Sequence, residues 1–241
     1  MSHTKSYALI KGFQESTLMD WDGKIACIIF LGRCNFRCGF CHSKILVDDF
    51  DSIDTIPFER IAGYLSKKIG WIDGVVITGG EPCLQQQHLI ELINRIKGLG
   101  FSVKLDTNGS MPALLGEIIK GGLIEYVAMD IKAPLHKEEY RRAVNASVNI
   151  NDIILSKDII MDSGIDHEFR TTAIPGIIDK NNIVHIAREI KRARKYCIQQ
   201  FVPRDTLDPA FMELKPYRAE DLYDMADAVK VYVKNTIVRP N

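Results

Sequence analysis

Six short apolar runs, most of them β-branched, recur along the chain, and the stretches between them repeat their apolar residues at helical spacing. The runs are Ile25–Leu31, Val75–Thr78, Ser102–Leu105, Tyr126–Met129, Glu168–Ala173 and Cys197–Val202. Strands that alternate with amphipathic helices specify βαβ units and a parallel sheet. The helices carry their own punctuation. Pro57 stands in the first turn of one, with Phe58, Ile61, Leu65 and Ile69 on a single face. Leu89, Leu92, Ile93 and Ile96 mark a second, closed by Gly98 and Gly100. Leu114, Leu115, Ile118 and Ile119 mark a third, stopped by Gly121 and Gly122. Ile150–Ile160, ending near Gly164, and Ile183–Ala193 supply two more. Asp221–Ala228 reads as a late helix, followed by Val229–Val233 as a candidate extra strand. Tyr7-Ala8-Leu9-Ile10 reads as a short edge strand. Periodicity alone fits an open six-strand barrel and a doubly wound sheet equally well.

The 241 residues, 46% of them hydrophobic, can form one domain of barrel size. The expected layout is a single domain over 1–241: an N-terminal segment 1–23, a barrel core 24–205 and a C-terminal part 206–241.

Directly after the first run comes Cys34-Asn35-Phe36-Arg37-Cys38-Gly39-Phe40-Cys41. Three thiolates on one short loop can hold three corners of an iron–sulfur cube and leave the fourth iron open. Structural zinc wants four closed ligands, typically as two separated pairs. The local fourth candidate is His42, adjacent to Cys41, and adjacent side chains rarely point at one tetrahedral centre. Cys27, Cys83 and Cys197 are scattered. A zinc knuckle and three unrelated buried thiols stay as plainer alternatives, both poorly served by this spacing.

Lys plus Arg is 31 and Asp plus Glu is 31, so no basic excess draws in nucleic acid or an anionic membrane. The run Lys191-Arg192-Ala193-Arg194-Lys195 closes a predicted helix, where cations suit the macrodipole and solvent. With no signal pattern and no membrane-length apolar run, the expectation is a cytoplasmic protein with reduced cysteines. An oxygen-labile cluster would add an anaerobic setting.

Unusual tetrapeptides fall at the strand ends. Gly79-Gly80-Glu81-Pro82 follows the second; its glycines allow close backbone approach to a ligand, and Glu81 can accept from an ammonium. The plain alternative is a tight turn with a solvated glutamate. The third strand ends in Asp106-Thr107-Asn108-Gly109 and the fourth in Met129-Asp130-Ile131-Lys132, where capping or surface roles are the plain alternative. The fifth carries Arg170, which could simply pair with a carboxylate at the edge of the core.

The Cys-x3-Cys-x2-Cys spacing, with Phe40 before the last cysteine, resembles the radical S-adenosylmethionine (SAM) superfamily. The resemblance implies a partial (β/α)6 barrel of parallel strands with chemistry at the C-terminal strand ends. It implies a [4Fe-4S] cluster on Cys34, Cys38 and Cys41, with SAM chelating the open iron through its methionine amine and carboxylate. One electron from the cluster, poised near the low end of roughly −700 to +450 mV, then splits SAM to a 5′-deoxyadenosyl radical. Gly79, Gly80 and Glu81 would hold the amine, and Phe40 would lie near the adenine. Asp106, Asn108, Asp130 and Lys132 match positions that lie around SAM and a nearby monovalent cation in glycyl-radical-enzyme activases. Arg170 would approach the SAM carboxylate or ribose. The position after His42 is usually an asparagine that touches SAM; Ser43 is shorter and would reach SAM through a water or not at all. Phe36 would shield the cluster, or only pack the loop.

Lys11-Gly12-Phe13-Gln14, Ser16-Thr17-Leu18, Arg33–Cys38 and Gln200–Pro209 are similar to the anaerobic ribonucleoside-triphosphate reductase activating proteins, in their longer archaeal-type branch, over roughly residues 7–235. This implies hydrogen abstraction from a backbone glycine of a separate glycyl radical enzyme, with a low-potential donor such as flavodoxin or ferredoxin. Such a reaction needs no side-chain acid or base. One departure is Asp20-Trp21-Asp22-Gly23, with aspartate where the family usually has proline. A pyruvate formate-lyase activase shares nearly every motif. The 7-carboxy-7-deazaguanine synthases have a longer gap in the cysteine motif. A non-catalytic metal-binding regulatory module is the alternative of another class, and predicts zinc or no metal and no SAM binding.

Overall fold

The computed structural model describes residues 8–240. Its strands are β1 (Ile10–Thr17), β2 (Ala26–Leu31), β3 (Gly74–Gly79), β4 (Ser102–Thr107), β5 (Tyr126–Asp130), β6 (Asp166–Ala173), β7 (Tyr196–Gln200) and β8 (Thr236–Arg239). They form one sheet in chain order. β1 runs antiparallel to β2, and each later pair is parallel. Parallel neighbours in strict sequence, joined through helices, wind the sheet in one direction, and β1 and β8 leave it open. The architecture is the α/β partial barrel that the family resemblance implied.

The helices are α1 (Lys44–Asp48), α2 (Phe58–Leu65), α3 (Gln87–Gly98), α4 (Pro112–Lys120), α5 (Lys137–Val144), α6 (Ile150–Asp162), α7 (Lys180–Glu189) and α8 (Ala219–Val229). All six expected strands form. β7 ends at Gln200, just before the chain reaches Pro203, which has no N–H for the ladder. The expected edge strand at Tyr7–Ile10 is displaced: β1 begins at Ile10, and Tyr7 lies outside the described residues. Val229–Val233 is not a strand. Leu222, Met225, Ala226 and Val229 share one buried face at helical spacing, so α8 continues to Val229, and the extra strand is β8. The run Lys191–Lys195 is not helical either. Asp179 and Asn182 cap the start of α7, which stops at Glu189; Arg192 then takes φ 76° and turns the chain, and Lys195 enters the barrel.

Outward positions such as Val75, Ile77, Leu105, Val127 and Met129 are buried in the main apolar cluster beneath the helices. Inward, at the N-terminal strand ends, Trp21, Ala26, Ile28 and Val76 make a separate small cluster. Beyond it the interior becomes ionic. Glu168, 1% exposed, lies 3.2 Å from Lys104 Nζ, 3.0 Å from Lys195 Nζ and 3.4 Å from Arg239. Lys195 and Arg239 also reach Asp22. Asp22 is itself exposed, so it meets these cations at the rim of the barrel, at the opposite end of the strands from the cysteines.

Burial opposes ionisation of Glu168, but Lys104, Arg170, Arg239 and Lys195 override it and hold the carboxyl at about 2. A depressed carboxylate contributes stability above its unfolded value, and this is lost as pH falls through the folded value. Glu168→Gln, which strands these cations, is expected to cost about 3–5 kcal/mol at neutral pH. Urea unfolding across a pH series should show the gap from wild type narrowing as pH falls from about 4 towards 2.

Candidate active site

Leu31 ends β2, and Gly32 and Arg33 (φ 77°) swing the chain into the cysteine loop. The turn after β3 locks onto that exit. Gly80 N donates to Leu31 O at 2.9 Å, and Glu81 N donates to Arg33 O at 2.8 Å. A Cβ on Gly79 (φ 127°) would lie 2.3 Å from Leu31 O, and one on Gly80 would lie 2.0 Å from Arg33 O. The glycines therefore serve first to bring two backbone segments together, a stricter demand than the ligand approach inferred from sequence.

Inside the loop, the Arg37 guanidinium donates to Cys34 O (2.7 Å) and Phe36 O (2.9 Å) and lies 3.3 Å from Asp48. Cys41 N donates to Cys38 O at 3.0 Å, which closes a tight turn. The loop's outer side is strapped by the segment after β7. Leu207 N donates to Cys41 O (3.0 Å), and Asp208 N donates to Gly39 O (2.9 Å). Phe211 lies against Phe40 and covers Gly39 so closely that a Cβ there would sit 2.4 Å from its ring.

All three thiols line a cavity of about 320 Å³ at the C-terminal strand ends. Burial pushes the Cys34 thiol up to about 11 and Cys38 to about 12, so a metal must displace their protons. Among the described residues, no three His, Cys, Asp or Glu side chains gather around a single ion. Three thiols on one short loop facing one cavity suit separate irons of a cube better than the four closed ligands of structural zinc. Cys27, Cys83 and Cys197 are buried elsewhere.

The sequence model of the radical SAM superfamily matches residues 28–190. The chain belongs to the radical SAM superfamily. It is 33% identical over 235 residues to a Methanocaldococcus jannaschii protein provisionally named a glycyl-radical enzyme activating enzyme, covering 96% of each chain. A 7-carboxy-7-deazaguanine synthase of Neisseria meningitidis is 32% identical over 128 residues, 53% of each chain. A pyruvate formate-lyase-activating enzyme of Clostridium pasteurianum is 26% identical over 205 residues, 82% of each chain. Among solved structures, Streptococcus suis SuiB bound to its precursor peptide superposes with a TM-score of 0.69 at 18% identity, over 88% of this chain. The chain spans about half that structure, 48%, and the likeness concerns the fold.

In this radical SAM barrel, Phe40, Ser43, Gly79, Gly80, Asp106, Asn108, Asp130, Lys132 and Arg170 all line the cavity with the cysteines. Arg170 Nε donates to Asp130 at 2.7 Å and its Nη1 to Asp106 at 2.9 Å; Lys132 donates to Asp130 at 2.9 Å. Burial disfavours every charge here. Arg170 and Lys132 nonetheless hold Asp130 well below the usual carboxylate range, and the acids raise both cations. The guanidinium stands between Asp106 and Asp130, where a monovalent cation was expected. One buried oxygen, Asp106 Oδ1, has no hydrogen-bond partner, with Lys104 Nζ 3.8 Å away. These paired charges do not make an open cation cradle, and no cation is assigned.

Glu81 also departs from expectation. It is fully buried, and its carboxylate does not line the cavity. It accepts from Asn108 N (2.6 Å), Thr107 Oγ1 (2.8 Å) and Cys83 N (3.0 Å), and so ties the β3 turn to the β4 turn. Burial raises its pKa and these three donors counter that. Asn108 in turn donates to Asn35 of the cysteine loop at 3.0 Å. Phe36 is buried edge-on against Tyr140, and the His42 ring pairs with Arg204 O. Sequence reasoning missed Thr172, Gln199 and Gln200, which also line the cavity. Thr172 was legible as the next inward position after Arg170.

Cys34→Ala, Cys38→Ala and Cys41→Ala should each abolish cluster assembly on anaerobic reconstitution, while Cys83→Ala and Cys197→Ala keep full iron and sulfide content. Gly80→Ala should lower iron retention with all three cysteines intact, because the added Cβ forces the loops apart. Glu81→Ala should destabilise the fold by about 1–3 kcal/mol, through the donors it leaves buried. A cluster-competent Gly80→Ala protein of wild-type stability would refute the interlock.

Proposed function

We propose that this radical SAM enzyme cleaves SAM reductively at a [4Fe-4S] cluster and generates a glycyl radical on a partner enzyme. The observation that carries the reading is the end-to-end likeness, 96% of both chains, to the protein named as a glycyl-radical enzyme activating enzyme. The cavity supports it. When bound, the cluster and SAM supply the electron and the carbon radical that accepts the hydrogen. Cys34, Cys38 and Cys41 would hold the cluster. Gly79, Gly80 and the Asp106–Arg170–Asp130–Lys132 network border the space left for SAM, with Phe40, Ser43 and Asn108 on the cysteine side. These residues orient reactants and limit solvent; none need move a proton.

The finer assignment is an anaerobic ribonucleoside-triphosphate reductase as partner, with a flavodoxin or ferredoxin as donor. It is supported by the Gln200–Pro209 sequence, part of which straps the cysteine loop. A pyruvate formate-lyase type of partner is the second reading, favoured by the shared motifs and the Clostridium relative. The described residues include no helix long and apolar enough to cross a membrane.

Protein reconstituted anaerobically with iron and sulfide, reduced and given SAM should release 5′-deoxyadenosine and methionine, and Cys38→Ala should release neither. Added candidate partner enzymes should then yield the doublet of a glycyl radical by electron paramagnetic resonance. A cluster that ignores SAM would overturn the reading in favour of a metal-binding module.

A further inference from the structure

Apolar side chains stand out in solvent at the N-terminal strand ends, away from the cavity. Ten large hydrophobic side chains are exposed among the described residues; Leu18, Met19, Ile25, Ile69 and Trp71 are half of them, and these five lie on only two loops. Trp71 is 78% exposed and Leu18 73%. Residues 18–25 turn the chain from β1 into β2, and residues 66–73 join α2 to β3. The two loops are tied to each other. Asp73 N donates to Ile25 O at 2.8 Å, and Ile25 N donates to the Asp73 carboxylate at 2.7 Å. The buried Trp21 ring lies so close to the start of β3 that a Cβ on Gly74 would sit 2.7 Å from it. Singly exposed hydrophobics are ordinary; a group of them on interlocked loops marks a surface that is covered in use.

The charges beside these side chains decide what covers them. Asp20 and Asp22 follow Leu18 and Met19, with Glu15 just upstream on β1, whereas Lys67 and Lys68 precede Ile69 and Trp71. Lys24 and Asp73 break this division but are spent locally. Lys24 lies over the Trp21 ring, and Asp73 holds Ile25 N. Asp22 meets Lys195 and Arg239 on one side and remains exposed. Lys68 lies over the Tyr64 ring, and among the described residues neither Lys67 nor Lys68 pairs with a carboxylate. An anionic bilayer or a phosphate backbone would be repelled by the acidic turn as it was drawn to the lysines. A second copy of the same surface meets no such conflict. A two-fold axis lays the acidic turn of one copy on the lysine loop of the other, twice over, with the apolar side chains between them.

The geometry points to an isologous homodimer of this chain, joined base to base through Leu18, Met19, Ile69 and Trp71, with Trp71 as its anchor. Exposed tryptophan is the residue type most often found at the energetic centre of such contacts. Roughly sixteen residues of the two loops reach the surface, fewer than the 20–30 a side of a standard interface, which suits a reversible association. The two cavities then face away from each other, and each cysteine loop stays free to meet a separate protein. The pairing does not depend on what the cavity acts on.

Sedimentation velocity on the full chain, metal-free and again after anaerobic reconstitution, tests the pairing over about 1 to 100 µM. The wild type is expected to pass from one chain to two across that range in both forms. Trp71→Ala should weaken the association by about thirtyfold. Its circular dichroism and iron retention should match wild type, because the side chain faces solvent. A charge exchange tests the two-fold arrangement. Lys67→Glu with Lys68→Glu makes the patch predominantly acidic, and Glu15→Lys with Asp20→Lys makes it predominantly basic. Each variant alone should be monomeric, and the two mixed should form a one-to-one heterodimer.

A wild type that stays monomeric throughout overturns the pairing. So does a dimer that Trp71→Ala leaves at wild-type strength, since the contact would then lie elsewhere. Flotation of monomer with vesicles of phosphatidylcholine and phosphatidylglycerol, lost in Trp71→Ala, makes the patch a lipid contact and also overturns it. Folded charge variants that dimerise singly, or that fail to pair when mixed, overturn the two-fold arrangement.

Discussion

The site depends on two backbone hydrogen bonds, Gly80 N to Leu31 O and Glu81 N to Arg33 O. They are possible only because residues 79 and 80 lack a Cβ. Through them the exit of β3 fixes the exit of β2, and so the direction in which the three cysteines leave the barrel. Glu81 extends the lock sideways, since its carboxylate gathers two main-chain N–H groups and a hydroxyl from neighbouring turns. A residue that looked like a ligand contact is the bolt between two loops. A cluster ligand set on one flexible loop would fluctuate; anchored to β2, β3, β4 and the strap after β7, it holds a fixed geometry before any metal arrives.

The second organising element is a chain of alternating charges through the interior. Glu168 meets Lys104 at 3.2 Å, and Lys104 lies 3.8 Å from Asp106. Asp106 meets Arg170 at 2.9 Å, Arg170 meets Asp130 at 2.7 Å, and Asp130 meets Lys132 at 2.9 Å. Isolated, each buried charge would be costly; linked, they compensate one another. Lys104 and Asp106 on β4, and Glu168 and Arg170 on β6, sit two residues apart, and Lys132 follows Asp130, the last residue of β5, by two. A one-residue slip of any strand would turn its charges outward under the apolar helices. The ion chain therefore also specifies register, from the inside of a barrel whose outer face is mostly apolar.

Much of this was legible in the sequence, for identifiable reasons. The six strands and the chemistry-bearing turns stood out because β-branched runs and tetrapeptides at their ends are local signals. The cysteine spacing is local too. What sequence did not show was where each side chain spends its hydrogen bonds. Glu81 bonds to the turn after β4, Arg170 sits between two acids, and Lys195 leaves what looked like a solvated run to enter the barrel. Apart from the local Cys83 N–Glu81 bond, the partners that decide these outcomes lie 26 or more residues away, which no window of sequence contains. The short α1 escaped notice because five residues give little apolar periodicity, and α5 because its buried face is only Tyr140, Ala143 and Val144 in an otherwise charged stretch.

The two ends of the barrel divide the work differently. At the N-terminal strand ends, Trp21 and its neighbours close the interior, and Asp22 joins Lys195 and Arg239. Asp22, exposed at the rim, faces Lys195 and Arg239, so its carboxylate meets cations rather than other acids. At the C-terminal ends the requirement is the reverse. Charges there are matched two against two and fixed, so that what enters the cavity meets a neutral, preorganised wall. A barrel built this way can accept sequence change at its base while leaving the electrostatics beside the cysteine loop untouched.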